Sequence, residues 1–152
     1  MPLSEGGAWE GVTEESYEVV GIEIKDVYDS SLAGKQLPSE LGLLTHLTSF
    51  KFKQSSLGGT LPSEVGALTN ILKVELRDNQ HTGSIPSEVG RLTSLLEFKL
   101  YGNKLSSTIP SELARLSLAS KFRLEDNALE GRVPAELGAA AQEELGTSEF
   151  AL

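Results

Sequence analysis

Apolar and polar positions along this chain fall on a ruler of 24 residues. A Leu or Ile followed by Pro-Ser-Glu stands at Leu37, Leu61, Ile85 and Ile109, and a degenerate copy begins at Val133. From each start, apolar side chains recur at the same offsets: Leu47, Ile71, Leu95 and Ala119; then Phe50, Val74, Phe98 and Phe122; then Phe52, Leu76, Leu100 and Leu124. A single polar residue separates the last two columns, and this alternation predicts a short strand with one buried and one exposed face. A fixed period of this length means stacked supersecondary units that bury their apolar sides only against one another. Successive strands should therefore pair in parallel, one per unit. Pro-Ser-Glu predicts a helix start, with Ser as the cap and Glu near the amino end. The stretch that follows, as in Val89-Gly90-Arg91-Leu92-Thr93, leaves room for only one or two turns.

Asn79, Asn103 and Asn127 share one offset after the strand, where a side-chain amide can satisfy backbone groups of its own and the adjacent unit. They are expected to form a structural ladder, weaker at the end where Ser55 replaces Asn. Gly59, Gly83 and Gly131 suit a second tight bend, and Ser107 at the same offset predicts a local distortion. Read continuously, the unit L-x-x-L-x-L-x-x-N-x-L-x-G-x-I-P resembles the leucine-rich repeat, specifically its 24-residue plant-type class. The half that marks this class reads Thr82-Gly83-Ser84-Ile85-Pro86 and Glu130-Gly131-Arg132-Val133-Pro134, and the resemblance spans roughly residues 9–138. It implies an α/β leucine-rich-repeat solenoid: a short curved horseshoe, with a parallel β-sheet on the concave face and short helical or 3-10 turns on the convex face. The chain is expected to be one domain. Residues 1–36 form an amino-terminal cap and irregular first coil, 37–60, 61–84, 85–108 and 109–132 are full repeats, and 133–152 hold the degenerate repeat and a capping helix.

The ends of a solenoid need their own cover. Trp9-Glu10-Gly11-Val12-Thr13 resembles the W-x-G-V-T segment in the cap of secreted plant-type repeat proteins, but Glu14 stands where that family normally has Cys. From Ile24 to its equivalent Phe52 is 28 residues, so an insertion of four lies around Val27 to Lys35. Leu137 to Leu145, dense in Ala, Gln and Glu, predicts a capping helix on which Phe150 and Leu152 could dock.

Composition bears on compartment. The chain has 152 residues and no Cys, and none of its asparagines lies in an Asn-x-Ser/Thr sequon. Met1-Pro2-Leu3-Ser4-Glu5 lacks the charge and apolar run of a signal peptide, and no stretch is long and apolar enough to span a membrane. These features predict an intracellular setting, cytosol or organelle interior, with a secreted form in a longer precursor as the alternative.

Function in such a fold is expected on the exposed strand positions. Offsets twelve, fourteen and sixteen, together with Gly21, Glu23 and Lys25 of the cap strand, hold eight of the thirteen Lys and Arg residues and four of the 22 acidic ones. That face carries +4 while the remaining chain carries −13, for a net charge of −9. Lys51, Lys53, Lys73, Arg77, Lys99, Tyr101, Lys121 and Arg123 are the candidate partner-binding residues. A basic strip on an acidic body would steer an acidic protein surface into the curve. The competing reading is a solvated sheet with paired charges: the column Glu23, Lys51, Glu75, Lys99 alternates in sign, whereas Lys25, Lys53, Arg77 does not. Tyr101 is the only aromatic at these positions and the best single anchor.

Other chemistry is weakly signalled. The column Glu40, Glu64, Glu88, Glu112, Glu136 is accounted for by helix starts. Asp78, His81 and Ser84 contain the types of a hydrolytic triad, but His81 occupies an offset filled by Leu57, Leu105 and Leu129 and should point inward. Two histidines and no Cys give little basis for a metal site, no cofactor motif is present, and the net negative charge disfavours nucleic acid. The expectation is a non-catalytic module that binds a partner protein through its concave strand face. The alternatives are a permanent structural subunit of a larger assembly and a ligand-binding ectodomain fragment of a receptor-like or secreted inhibitor protein.

Overall fold

A computed structural model describes residues 12–15, 18–25 and 32–134. Within them the chain coils so that each repeat adds one strand to each of two sheets. The larger sheet contains β1 (Val12–Glu15), β2 (Glu18–Lys25), β3 (Ser49–Lys53), β5 (Lys73–Glu75), β7 (Glu97–Lys99) and β9 (Lys121–Arg123), in that spatial order. β1 pairs antiparallel with β2, and every later neighbour is parallel. The smaller sheet, order β10-β8-β6-β4, contains β4 (Gly58–Thr60), β6 (Gln80–Gly83), β8 (Lys104–Thr108) and β10 (Ala128–Glu130), all parallel. The sequence pattern predicts only the first of these sheets. In the second, β6, β8 and β10 each bury a single side chain, His81, Leu105 and Leu129, so no apolar alternation announces them.

Register follows the ruler. Phe50 pairs with Val74, Val74 with Phe98 and Phe98 with Phe122, each step being one repeat. At the amino end Ile22 pairs with Phe50 and Ile24 with Phe52, so the four extra residues fall between β2 and β3. The alternation of β3 is half-buried, buried, half-buried, buried, half-buried, with Phe50 and Phe52 fully enclosed. Their rings meet at 4.9 Å, and those of Phe98 and Phe122 at 5.2 Å. Leucine, isoleucine and valine from both sheets and from the convex turns complete one continuous core.

The convex side is built of five-residue 3-10 turns: Ser39–Leu43, Ser63–Ala67, Ser87–Arg91 and Ser111–Arg115. Here one expectation is corrected. Pro38, Pro62, Pro86 and Pro110 occupy the extended N-cap position, and no side chain caps the turn. Each serine is the first residue inside the turn, and its hydroxyl meets the carboxylate of the next glutamate, at 3.3 Å for Ser39 and Ser63. Gly42, Gly66 and Gly90 allow these turns to stack. A Cβ at each would lie 2.7, 2.5 and 2.4 Å from the carbonyl oxygens of Glu64, Glu88 and Glu112 in the next coil.

The third copy is also less distorted than its sequence suggests. Ser107 adopts φ 70°, beside 69°, 75° and 81° for Gly59, Gly83 and Gly131. The chain thus keeps the bend and places an L-residue in the left-handed region. The capping helix expected over Leu137–Leu145, most of the Trp9–Thr13 segment, Glu136 and residues 27–31 of the insertion lie outside the described residues.

Candidate functional site

The asparagine ladder lies between the sheets and fixes where each strand of the large sheet ends. Asn79 Nδ2 donates to the carbonyls of Phe52 (2.8 Å) in the preceding coil and Leu76 (2.9 Å) in its own, while its Oδ1 accepts the N–H groups of Ser55 (3.0 Å) and Leu57 (3.3 Å). Asn103 repeats this with Leu76 (2.9 Å), Leu100 (2.8 Å) and the N–H of His81 (3.1 Å). Asn127 bonds Leu100 (3.0 Å) and Leu124 (2.9 Å) and accepts from Leu105 (3.0 Å). Ser55 turns its hydroxyl to the Lys53 carbonyl at 3.0 Å within its own coil.

With the strand ends fixed, the outward side chains stand in rows. Lys51 and Lys53 lie on β3, Lys73 on β5, Lys99 on β7, and Lys121 and Arg123 on β9, while Arg77 and Tyr101 follow β5 and β7 directly. The structure brings these candidates to one face, together with the carboxylates that pair with them. Lys51 meets Glu23 at 3.6 Å, and Lys53 bridges Glu23 (3.9 Å) and Glu75 (3.1 Å). Arg77 reaches Glu75 at 3.0 Å and Asp78 at 2.6 Å, and Arg123 pairs with Glu125. Glu97 takes three lysines at once: Lys73 at 3.5 Å, Lys99 at 2.8 Å and Lys121 at 3.4 Å. Those partners, the Lys99 hydrogen bond first, hold the Glu97 carboxyl down at about 2 against an ordinary 4.5. The same bond raises Lys99 above its ordinary value.

This face is therefore a lattice of opposite charges. Lys51, Lys53, Lys73, Arg77, Lys99, Lys121 and Arg123 each have a carboxylate within salt-bridge distance. The Glu97 hub is where sequence reasoning fell short, although the repeat spacing alone places Lys73, Glu97 and Lys121 in one column of alternating sign. Tyr101 lies between two arginines, with the guanidinium carbons of Arg123 and Arg77 at 4.5 and 5.9 Å from its ring centroid. Such contacts hold a half-exposed ring in one place at about 0.5–1 kcal/mol each.

The other candidate chemistry is not assembled. His81 is fully enclosed, both its ring nitrogens lack a hydrogen-bond partner, and Asp78 is bonded to Arg77. Asp78, His81 and Ser84 therefore form no hydrogen-bonded chain. Among the described residues, no three His, Asp or Glu side chains converge as cation ligands would. None of the described helices is long and apolar enough to cross a membrane.

A leucine-rich-repeat family model matches residues 94–116. Among solved structures, a chain of the BIR3–SERK2 complex from Arabidopsis thaliana superposes with a TM-score of 0.74 at 30% identity, over 84% of this chain and 68% of that one. This chain belongs to the plant-type leucine-rich repeat family. A chain from the complex of the Arabidopsis receptor kinase HAESA with the peptide hormone IDA and the co-receptor SERK1 matches with a TM-score of 0.71 at 30% identity, over 85% of this chain and 22% of that one. A plant ice-binding protein matches at 31% identity and 0.73, over 82% of this leucine-rich repeat chain and 40% of its own length. Comparison with curated protein sequences returns no match. The fold and these neighbours make the chain a protein-interaction or ligand-binding module.

Proposed function

We propose that this leucine-rich repeat module binds a partner protein through the outer face of the large sheet, with Tyr101 as its anchor. The observation that carries this reading is the Arg77–Tyr101–Arg123 group, an aromatic ring held half-exposed between two guanidinium groups. Interfaces concentrate their energy in such aromatic and arginine residues. The surrounding lattice sets which partners are tolerated. The seven bases and five acids engaged in these ion pairs still leave an excess of +2, so an acidic surface is preferred, but its carboxylates must displace those already bound to the lysines. Adjacent strands lie about 4.8 Å apart, so this face of the large sheet offers room for one compact element of a partner.

Replacing Lys99, Tyr101 and Arg123 together with Glu, Ala and Glu should abolish binding to a partner captured from the native source, with the melting curve retained as a check on folding. Unchanged affinity would overturn the concave-face reading. It would favour a structural subunit held through the ends or the convex turns, which would also co-purify at fixed equal stoichiometry. The receptor among the structural neighbours fits the third reading, an ectodomain fragment, and with it the extracellular alternative. The expectation of an intracellular setting gains no support from these neighbours. The ice-binding neighbour shows that the same scaffold also serves a protein with a different target.

A further inference from the structure

Among the described residues, His81 is a buried titratable group whose chemistry neither the scaffold nor the outer face uses. It lies on β6 where the neighbouring coils have Leu57 and Leu105, and it is fully enclosed. Its backbone is firmly held: Gly59 pairs with His81 in the sheet, and its N–H donates to Asn103 Oδ1 at 3.1 Å. Its ring is not held. Both nitrogens are buried without a partner, a costly arrangement even for a neutral imidazole and a far costlier one for an imidazolium, which presents two N–H donors and a full charge.

We propose that His81 is an acid-triggered switch: on taking up a proton its ring can no longer stay in the core, and β6 separates from β4 and β8.

No neighbouring charge relieves the ring. β4 contains no titratable residue, and Lys104, the only one on β8, is exposed on the outer side. Glu64 and Arg91 of the convex turns are exposed and Glu88 is half-buried, and Lys73, Glu75, Glu97 and Lys99 are engaged in the outer lattice of the large sheet. Burial depresses the affinity of His81 for a proton below the ordinary 6.5. The backbone of Gly58 and Gly59 opposes this shift without forming a hydrogen bond of normal geometry to either nitrogen. A histidine depressed in the folded state binds more protons when unfolded. Stability should therefore be lost as pH falls below 6.5, by up to about tenfold in the folding constant per pH unit for one proton. That window lies above the range of Glu97, whose contribution is lost only below 4.5.

The weak point is local. β4 to β6 and β6 to β8 pair over only three and two residue positions, and Leu57 and Leu105 are buried in the adjoining core. The large sheet keeps its Phe50, Val74, Phe98 and Phe122 column and its outer ion pairs. Acid should therefore open the middle of the small sheet first and expose Leu57 and Leu105, leaving the large sheet paired.

The test compares urea unfolding of wild type, His81→Leu, His81→Gln and Glu97→Gln at steps between pH 7.5 and 4.5, with His46→Gln as the control for the exposed histidine. Wild type, Glu97→Gln and His46→Gln should lose stability across this range. Both His81 variants should lose markedly less, and His81→Gln keeps the test open if leucine does not fold. Hydrogen exchange, corrected for its intrinsic pH dependence, should rise at pH 5 in residues 58–60 and 80–83 before 97–99. A wild-type fall retained in the His81 variants would overturn the proposal. So would exchange that rises uniformly in both sheets.

Discussion

Removing the asparagines of the ladder one at a time should destabilise the protein in a definite order. In Asn79→Ala the N–H groups of Ser55 and Leu57 both lose their acceptor, and the carbonyls of Phe52 and Leu76 each lose a donor. A buried N–H left without a partner costs about 1–3 kcal/mol and an ordinary hydrogen bond contributes about 1, so the loss should approach 4 kcal/mol. Asn103→Ala orphans one N–H, that of His81, while Leu76 and Leu100 keep donors from Asn79 and Asn127. About 3 kcal/mol is expected there. Asn127→Ala removes a half-buried side chain and should cost about 2 kcal/mol. For a chain of this size each kcal/mol lowers the melting temperature by about 2–4 °C, so the three variants separate in a thermal scan. The double variant gives the sharper result. Asn79 and Asn103 both donate to the Leu76 carbonyl at 2.9 Å, so either can be removed while the other still satisfies it. Together, the two substitutions should cost about 1–2 kcal/mol more than their sum, measured by urea unfolding. A double variant that is merely additive, or Asn127→Ala as damaging as Asn79→Ala, would refute this view of the ladder.

Other consequences are open to measurement. Gly90→Ala places a Cβ against the Glu112 carbonyl oxygen at 2.4 Å, and separating the two coils should cost about 1–3 kcal/mol in a thermal melt. Ser107→Gly relieves a left-handed φ of 70°. A cost of about 1 kcal/mol is removed and part of it returns as chain entropy, so a gain near 0.5 kcal/mol should appear in the urea midpoint. Glu97, held at about 2 by its three lysines, stabilises the folded state above 4.5 and loses that effect as pH falls towards 2. Glu97→Gln should therefore show a shallower acid transition than wild type in that interval, and an identical slope would remove the hub from the account.

Much of this fold is written in the order of residues, because each coil must repeat what the previous one buried. Phe50, Val74, Phe98 and Phe122 announce their pairing by spacing alone. What spacing does not convey is direction at the scale of a single bond. The repeated serine suggests a cap until the preceding proline takes the extended N-cap position. Ser63 then sits inside the turn, where its hydroxyl faces Glu64. In the same way a count of charges on the strand face suggests a basic strip, but the long side chains of lysine reach carboxylates on the neighbouring coil. Lys73 and Lys121 both reach Glu97, one from each side.

The departures from the ruler carry the information that the ruler cannot. Where Ser107 replaces glycine the backbone keeps its bend, so that position bears only local strain. At position 81 the backbone also keeps its place, but the substituted side chain is one that can change its charge. A leucine there would make the small sheet as uniform as the large one. With histidine, the same packing depends on the proton concentration around it, and the chain has a means of distinguishing two environments that its repeats alone do not provide.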